Sequence, residues 1–239
     1  MPRVRRPAPA LTATALLRLV WLASPALPVG SFSYSEGLEA AVDSGAVTHE
    51  AQARAWLLDQ LALVQQRAEL PLLASAFKAW RRGDFERISV LNDWALHTRE
   101  TQEFRQQTTQ MGRSLADWLR QRWAGDAEMA PRLAHLATLA PAPAWTVASA
   151  LAAVGSGAPL REALLALGFG WCEAMVQAAP KAVPLGQAGG QRLLDALVAA
   201  LPEAVDAAIV TAAAGDGARQ SFAPMLAVLS ARHEAQYSR

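Results

Sequence analysis

The sequence predicts an all-α fold: a single-domain helical bundle of roughly ten helices. Hydrophobic residues make up 52% of the 239 residues, and many of them are alanine, the best helix former. Phenylalanine and tyrosine are scarce, and no long alternating run of valine, isoleucine and threonine appears, which argues against sheets. Prolines and glycines divide the chain into segments of helical length.

The chain is long enough for one large domain. No fixed-period repeat and no long linker divides it. Residues 1–10 are rich in proline and contain Arg3, Arg5 and Arg6, so we expect a disordered tail. Residues 11–239 are then one all-α domain.

The N-terminal part begins with a predicted helix over residues 12–23, which Pro25 helps to end. A glycine-containing loop follows. Ser33 and Glu36 within this loop have the spacing of a capping box, which predicts a helix start at Tyr34.

Capping residues and prolines also predict the next helices. Thr48 can cap a helix that Pro71 ends or kinks. Asp84 can cap a helix over residues 85–97.

The clearest long helix is predicted over residues 99–123, where apolar residues from Phe104 to Trp118 recur at steps of three and four. A shorter helix follows and reaches about Leu139. Pro143, Pro159 and Pro202 each open a later helix, since proline is tolerated in the first turn. The five helices predicted after Leu139 cover residues 143–154, 159–179, 187–200, 202–213 and 222–232.

Composition excludes several classes of protein. The net charge of +1 gives no general electrostatic basis for binding nucleic acid or an anionic membrane. Cys172 is the single cysteine, so the chain forms no internal disulfide and no zinc cage, which fits a reducing compartment. The start lacks the pattern of a signal peptide, and prolines and glycines interrupt the longest charge-free stretch. We therefore expect a soluble, cytoplasmic protein.

A search for chemistry-bearing motifs predicts no enzyme and no cofactor or metal site. No phosphate-binding loop is present, and Gly168-Phe169-Gly170 lacks the strand and the third glycine of a dinucleotide motif. The glycines of Gly186 to Gln191 could expose amides to an anion, but close packing is the stronger interpretation. The four histidines form no ligand set with Cys172, which we expect in the core.

The segment from Pro28 to Ala41, PVGSFSYSEGLEAA, is the most informative one. Phe32 and Tyr34 lie in a loop bounded by glycines, and aromatic side chains on a rigid turn are good interface anchors. Both rings could instead fill the core. Glu39 can meet either a partner or water.

Three segments together resemble the urease accessory protein UreF family. The first is Pro28 to Glu39. The second is Thr98-Arg99-Glu100-Thr101 with Gln110-Met111-Gly112-Arg113-Ser114-Leu115. The third combines Val183-Pro184-Leu185-Gly186-Gln187 and Gly190-Gln191 with His233-Glu234 and Tyr237-Ser238-Arg239. Their order and spacing fit as well.

The resemblance implies an all-α homodimer that has no reaction of its own. Such a protein binds the accessory protein UreD (also called UreH), and the two recruit the GTPase UreG for nickel delivery to the urease apoprotein. The resemblance also implies partner-binding residues, the loop aromatic Phe32 and the tail arginine among them: Phe32, Tyr34, Glu39, Lys181, His233, Tyr237 and Arg239. Family members usually continue a few residues beyond the position of Arg239. Two interpretations follow: a tail that clamps UreD is weakened here, or the sequence is a trimmed one.

The alternative function is an all-α transcriptional regulator that senses a small ligand. Such a regulator needs a recognition helix with basic residues. The N-terminal quarter instead places Glu36, Glu39 and Asp43 on the relevant helix, where they would repel phosphate.

Overall fold

A computed structural model describes four ranges of the chain: residues 10–29, 37–99, 101–183 and 185–214, without the side chains of Pro180, Lys181, Ala182 and Gln187. Within these ranges the chain forms ten α-helices and one π-helical segment, and no strand. The predicted all-α class is therefore confirmed. No helix in the described ranges has the length and apolar character needed to cross a membrane.

The helices follow one another with short connections. In chain order they are α1 (Ala13–Ala23), α2 (Leu38–Asp43), α3 (Glu50–Gln60), the π-helical segment (Leu61–Glu69), α4 (Leu70–Arg82), α5 (Phe85–His97), α6 (Gln102–Arg122), α7 (Ala130–Thr138), α8 (Trp145–Ser156), α9 (Leu160–Ala182) and α10 (Gln187–Ala213).

Helix α8 lies at the centre of the bundle, and nearly all of its residues are buried. Its neighbours include α4 and α6. Trp80 of α4 is fully buried, and its indole Nε1 donates a hydrogen bond of 3.0 Å to the Val147 carbonyl of α8. The alanines of α8 allow this close approach because they carry little side-chain volume.

Capping side chains start two of the predicted helices. The Asp84 carboxylate accepts a hydrogen bond from the Arg87 amide at the start of α5. Thr101 caps α6 through the Phe104 amide. Along α6, Thr108, Met111 and Leu115 are buried while Phe104 and Trp118 are half-buried, which confirms the predicted apolar face.

Two predicted helix starts differ in the structure. Helix α3 has His49 as its N-cap, one residue beyond Thr48, whose hydroxyl and amide both donate to the Gln52 side chain. Helix α2 begins at Leu38, because Gly37 has a φ of 91°, a left-handed conformation that interrupts a helix. Tyr34, the predicted start, lies outside the described residues, as does the predicted helix 222–232.

Two prolines lie within continuous helical structure, where the sequence predicted an end or kink at Pro71 and a helix start at Pro202. At Pro71 the chain stays helical and changes from the π-helical segment to α4. Pro202 lies inside α10, so the predicted division into helices 187–200 and 202–213 is wrong. A proline within a helix costs about 3 kcal/mol. Burial of Leu197, Leu201 and Val205 around Pro202 offsets this cost.

Candidate functional site

The predicted partner-binding residues are placed only in part. Glu39 is exposed in the first turn of α2, where a partner or solvent can reach its carboxylate. Lys181 lies in the last turn of α9, and the position of its side chain is not described. Five of the predicted residues lie outside the described ranges: Phe32, Tyr34, His233, Tyr237 and Arg239. These seven side chains therefore remain a predicted set.

Buried residues fix the chain on both sides of the predicted interface loop. Before it, Val29 is buried, and its amide donates a hydrogen bond of 2.8 Å to the Leu27 carbonyl. After it, Leu38 is fully buried at the start of α2. The described chain is thus held in the bundle at Val29 and again at Leu38.

Glycines of α9 allow close packing against α1 and α10. A Cβ atom at Gly170 would lie 3.3 Å from the Ala23 carbonyl oxygen at the end of α1. A Cβ atom at Gly168 would lie 2.7 Å from Leu201 Cδ1 of α10. Gly168-Phe169-Gly170 therefore belongs to a helix that packs against two others, which explains its glycines without a nucleotide.

A cavity of about 160 Å³ lies beside the residues that precede the loop. Its wall includes Leu27, Val29, Leu73 and Met111. The Ser149 hydroxyl of α8 also lies at this wall, where it is buried and makes no hydrogen bond within the described part of the chain. A cavity of this size can hold one apolar side chain or a small apolar molecule.

A largely buried ion pair forms another part of the cavity wall. The Arg99 guanidinium binds both carboxylate oxygens of Glu69, with 3.0 Å between Nη2 and Oε2. The Thr146 hydroxyl donates a further hydrogen bond of 2.7 Å to Glu69 Oε2. These contacts connect the segment before α6 with the end of the π-helical segment and the start of α8. The sequence alone gave Arg99 no structural role. A charged residue, Glu69, directly before the apolar run of α4 was the one signal that a buried cation would be needed here.

The surroundings of Glu69 determine its ionisation. Burial opposes the charged form, but the positive charge and hydrogen bonds of Arg99, together with the bond from Thr146, hold the pKa of Glu69 below its ordinary value. The carboxylate is therefore charged at neutral pH. It stabilises the fold rather than serving as a general acid.

Cys172 and His135 have structural surroundings. Cys172 is fully buried, and burial raises the pKa of its thiol to about 12, so the thiolate is not available as a nucleophile. The His135 ring stacks on Phe85, with 4.9 Å between their centroids. Over the described ranges, no group of three or more His, Cys, Asp or Glu residues could hold a metal ion.

The glycines of the Gly186 to Gln191 segment also serve packing. Gly189 and Gly190 are buried in the first turn of α10, where a Cβ atom at Gly190 would touch Val176. Nearby, the Arg192 guanidinium binds both oxygens of Glu50 at 2.7 Å and joins α10 to α3. The burial of Gly189 and Gly190 supports the interpretation that these glycines allow close packing rather than forming an anion site.

Comparisons with known proteins agree with the resemblance of the motifs. The UreF family model matches residues 47–198. A urease accessory protein UreF of Methylibium petroleiphilum is 63% identical over 239 residues, which are 100% of this chain and 98% of that protein. A UreF of Paracidovorax citrulli is 60% identical over 96% of this chain and 89% of its own length.

A third relative is a fusion. The bifunctional urease accessory protein UreEF of Bordetella bronchiseptica is 46% identical over 97% of this chain, which covers 52% of that protein. The match to the family model and the near full-length identity to these relatives lead to one conclusion: the chain belongs to the UreF family of urease accessory proteins.

Proposed function

We propose that the protein is a non-catalytic scaffold of urease maturation. It binds a UreD/UreH protein and, with it, recruits and regulates the GTPase UreG, so that nickel reaches the urease apoprotein. It works as a homodimer in the cytoplasm. The near full-length similarity to proteins named urease accessory protein UreF carries this proposal.

The geometry supports a role in protein assembly. Val29 and Leu38, which lie on either side of the predicted interface loop, are both buried in the bundle. Ordered flanking residues lower the entropy that an interface segment loses on binding. The exposed Glu39 carboxylate follows directly after this loop. The Bordetella UreEF relative also joins a chain of this type to a further accessory segment, which fits work in a shared assembly.

No observation favours the alternative of a DNA-binding regulator. Helix α2 exposes Glu39 and Asp43 and is only six residues long. These carboxylates would repel the phosphates of DNA. The cavity near Leu27 could hold a ligand, but this alone does not indicate a regulator.

Phe32→Ala tests the proposal. We expect this variant to lose roughly 30-fold in affinity for the UreD and UreG homologues of the same genome, because truncating an aromatic anchor costs about 2 kcal/mol. Binding is measured by biolayer interferometry and folding by circular dichroism. Phe169→Ala is the matched control, since Phe169 is an exposed phenylalanine of α9. We expect the control to bind normally.

Two outcomes would count against the scaffold proposal. The wild-type protein could bind neither homologue, or it could shift a DNA fragment in a gel instead. Equal affinities of Phe32→Ala and Phe169→Ala would remove the loop from the interface while leaving the scaffold role in place.

A further inference from the structure

Helix α1 is apolar on both of its faces, although only one face packs into the bundle. Ala15, Leu19 and Leu22 are buried against the core. The opposite face contains Leu16, Leu17, Val20 and Trp21, all of them exposed. With Leu11, these residues are five of the nine exposed large apolar side chains in the described ranges. A helix that is apolar all round is normally covered on all sides.

The four exposed side chains form one continuous surface, which we call the α1 patch (Leu16, Leu17, Val20 and Trp21). Leu16 and Val20 are four residues apart on the helix, as are Leu17 and Trp21, so the two pairs lie side by side. Leu17 is 68% exposed and Val20 is 58% exposed. Contiguous exposed apolar surface of this kind marks an interaction site.

Aromatic rings and arginines border the α1 patch. The Trp21 ring meets Trp118 of α6 edge-to-face, with 5.2 Å between the centroids. The Arg122 guanidinium lies 5.8 Å from the Trp21 ring centroid. Arg18 donates hydrogen bonds to the carbonyls of Gly155 and Ser156 at the end of α8. Tryptophan and arginine are the residues most enriched in interface hot spots.

Two arginines, Arg18 and Arg122, lie at the border of the α1 patch. The sequence contains no aspartate or glutamate before Glu36. In the adjacent turn of α6, Asp117 is paired with Arg120 at 2.9 Å, while Arg122 makes no ion pair within the described part of the chain. A second copy of the same patch would bring arginine against arginine, which is unfavourable. A partner with carboxylates around an apolar centre would fit.

We propose that the α1 patch is a docking surface for an assembly partner that presents apolar side chains bordered by aspartate or glutamate. This inference rests on the proposed scaffold function and adds to it a second surface, separate from the predicted loop and tail residues. An anionic membrane is the weaker alternative. Membrane-surface helices carry a polar, cationic face, whereas the face of α1 opposite the patch is packed in the core.

The test compares two exposed surfaces of the same protein. The variant Leu17→Ser/Val20→Ser removes apolar area from the patch. The matched control is Val90→Ser/Val210→Ser, since Val90 of α5 is 50% exposed and Val210 of α10 is 70% exposed. Affinity for the UreD homologue, and for UreG in its presence, is measured by biolayer interferometry. We expect the patch variant to bind at least one of them roughly tenfold more weakly, and the control within about twofold of wild type.

A charge reversal tests the predicted acidic border. We expect Arg122→Glu to weaken the same interaction roughly tenfold and to flatten its dependence on salt. Arg54→Glu is the control, because Arg54 is exposed on α3. If Arg122→Glu and Arg54→Glu weaken binding equally, the interaction responds to net charge alone. That result would overturn the proposal that the partner has an acidic border.

Other results would overturn the proposal itself. One is unchanged affinity of the patch variant for both partners. A second is a loss of self-association in the patch variant by light scattering, which would assign the patch to a second copy. A third is binding to phosphatidylglycerol vesicles that disappears in the patch variant. Wild-type protein that binds neither homologue would refute the scaffold function first, before any variant is compared.

Discussion

Arg99→Leu is expected to destabilise the protein by about 3 kcal/mol, because it leaves the Glu69 carboxylate largely buried without its cation. Leucine also lacks the donors that satisfy both carboxylate oxygens. Chemical denaturation with urea, followed by circular dichroism, measures the change in the free energy of unfolding.

Two controls separate burial from charge in this prediction. Arg161→Leu removes an equally well-formed pair, the Arg161–Asp206 pair between α9 and α10, but that pair is exposed. We expect it to cost much less stability than Arg99→Leu, because solvent screens the exposed pair. The double variant Arg99→Leu/Glu69→Leu should recover most of the lost stability, because no charge is left buried. Equal losses for Arg99→Leu and Arg161→Leu would contradict the prediction.

The same pair predicts acid sensitivity. The pKa of Glu69 is lower in the folded protein than its ordinary value of 4.5. Its contribution to stability is therefore complete above the unfolded pKa and is lost as the pH falls through the folded pKa. We expect the melting temperature of the wild type to fall more steeply below pH 4.5 than that of Glu69→Gln. Parallel pH profiles for the two proteins would show that Glu69 is not coupled to folding.

Gly112→Ala is the second substitution with a large expected effect. A Cβ atom at Gly112 would lie 1.9 Å from the Pro143 carbonyl oxygen, so α6 and the segment before α8 would have to separate. Overpacking of this kind costs about 3 kcal/mol. Alanine gains about 1 kcal/mol of helix propensity over glycine, which does not offset the clash.

The segment that Gly112 approaches cannot easily move. Asn92 of α5 is buried and holds this segment by two hydrogen bonds, donating to the Ala142 carbonyl and accepting from the Ala144 amide. The Thr108 hydroxyl of α6 accepts a third hydrogen bond, from the Trp145 amide. Relief of the clash would break some of these hydrogen bonds. We therefore expect a destabilisation near the upper end of the roughly 1–3 kcal/mol that overpacking costs.

Gly186→Ala is the matched control for Gly112→Ala. Gly186 has an ordinary φ of −67°, and a Cβ atom there would meet nothing within 4 Å. We expect its unfolding free energy to stay within about 1 kcal/mol of wild type. Thermal denaturation of the two variants side by side checks the prediction. A Gly112→Ala protein that melts with the wild type would disprove the close approach of α6 and Pro143.

The partner-binding residues named from the sequence stay predictions. Glu39 is exposed, as its expected contact with a partner or water requires. The motif Thr98-Arg99-Glu100-Thr101 indicated the family but not the Arg99–Glu69 pair, because Glu69 lies thirty residues away in sequence. The sequence predicted a helix over residues 12–23 but not which of its faces is buried, because that depends on which helices cover it.

The sequence by itself determined the helical class, most helix boundaries and the family, because these depend on caps, periodicity and short motifs that act over a few residues. Only the tertiary structure decided that the chain stays helical through Pro71 and Pro202, that Gly112 faces Pro143 and that the α1 patch is uncovered. Each of these depends on contacts between segments far apart in sequence. The packing energy of these contacts outweighs the local helix propensity of the residues, and it cannot be read from any short stretch of sequence.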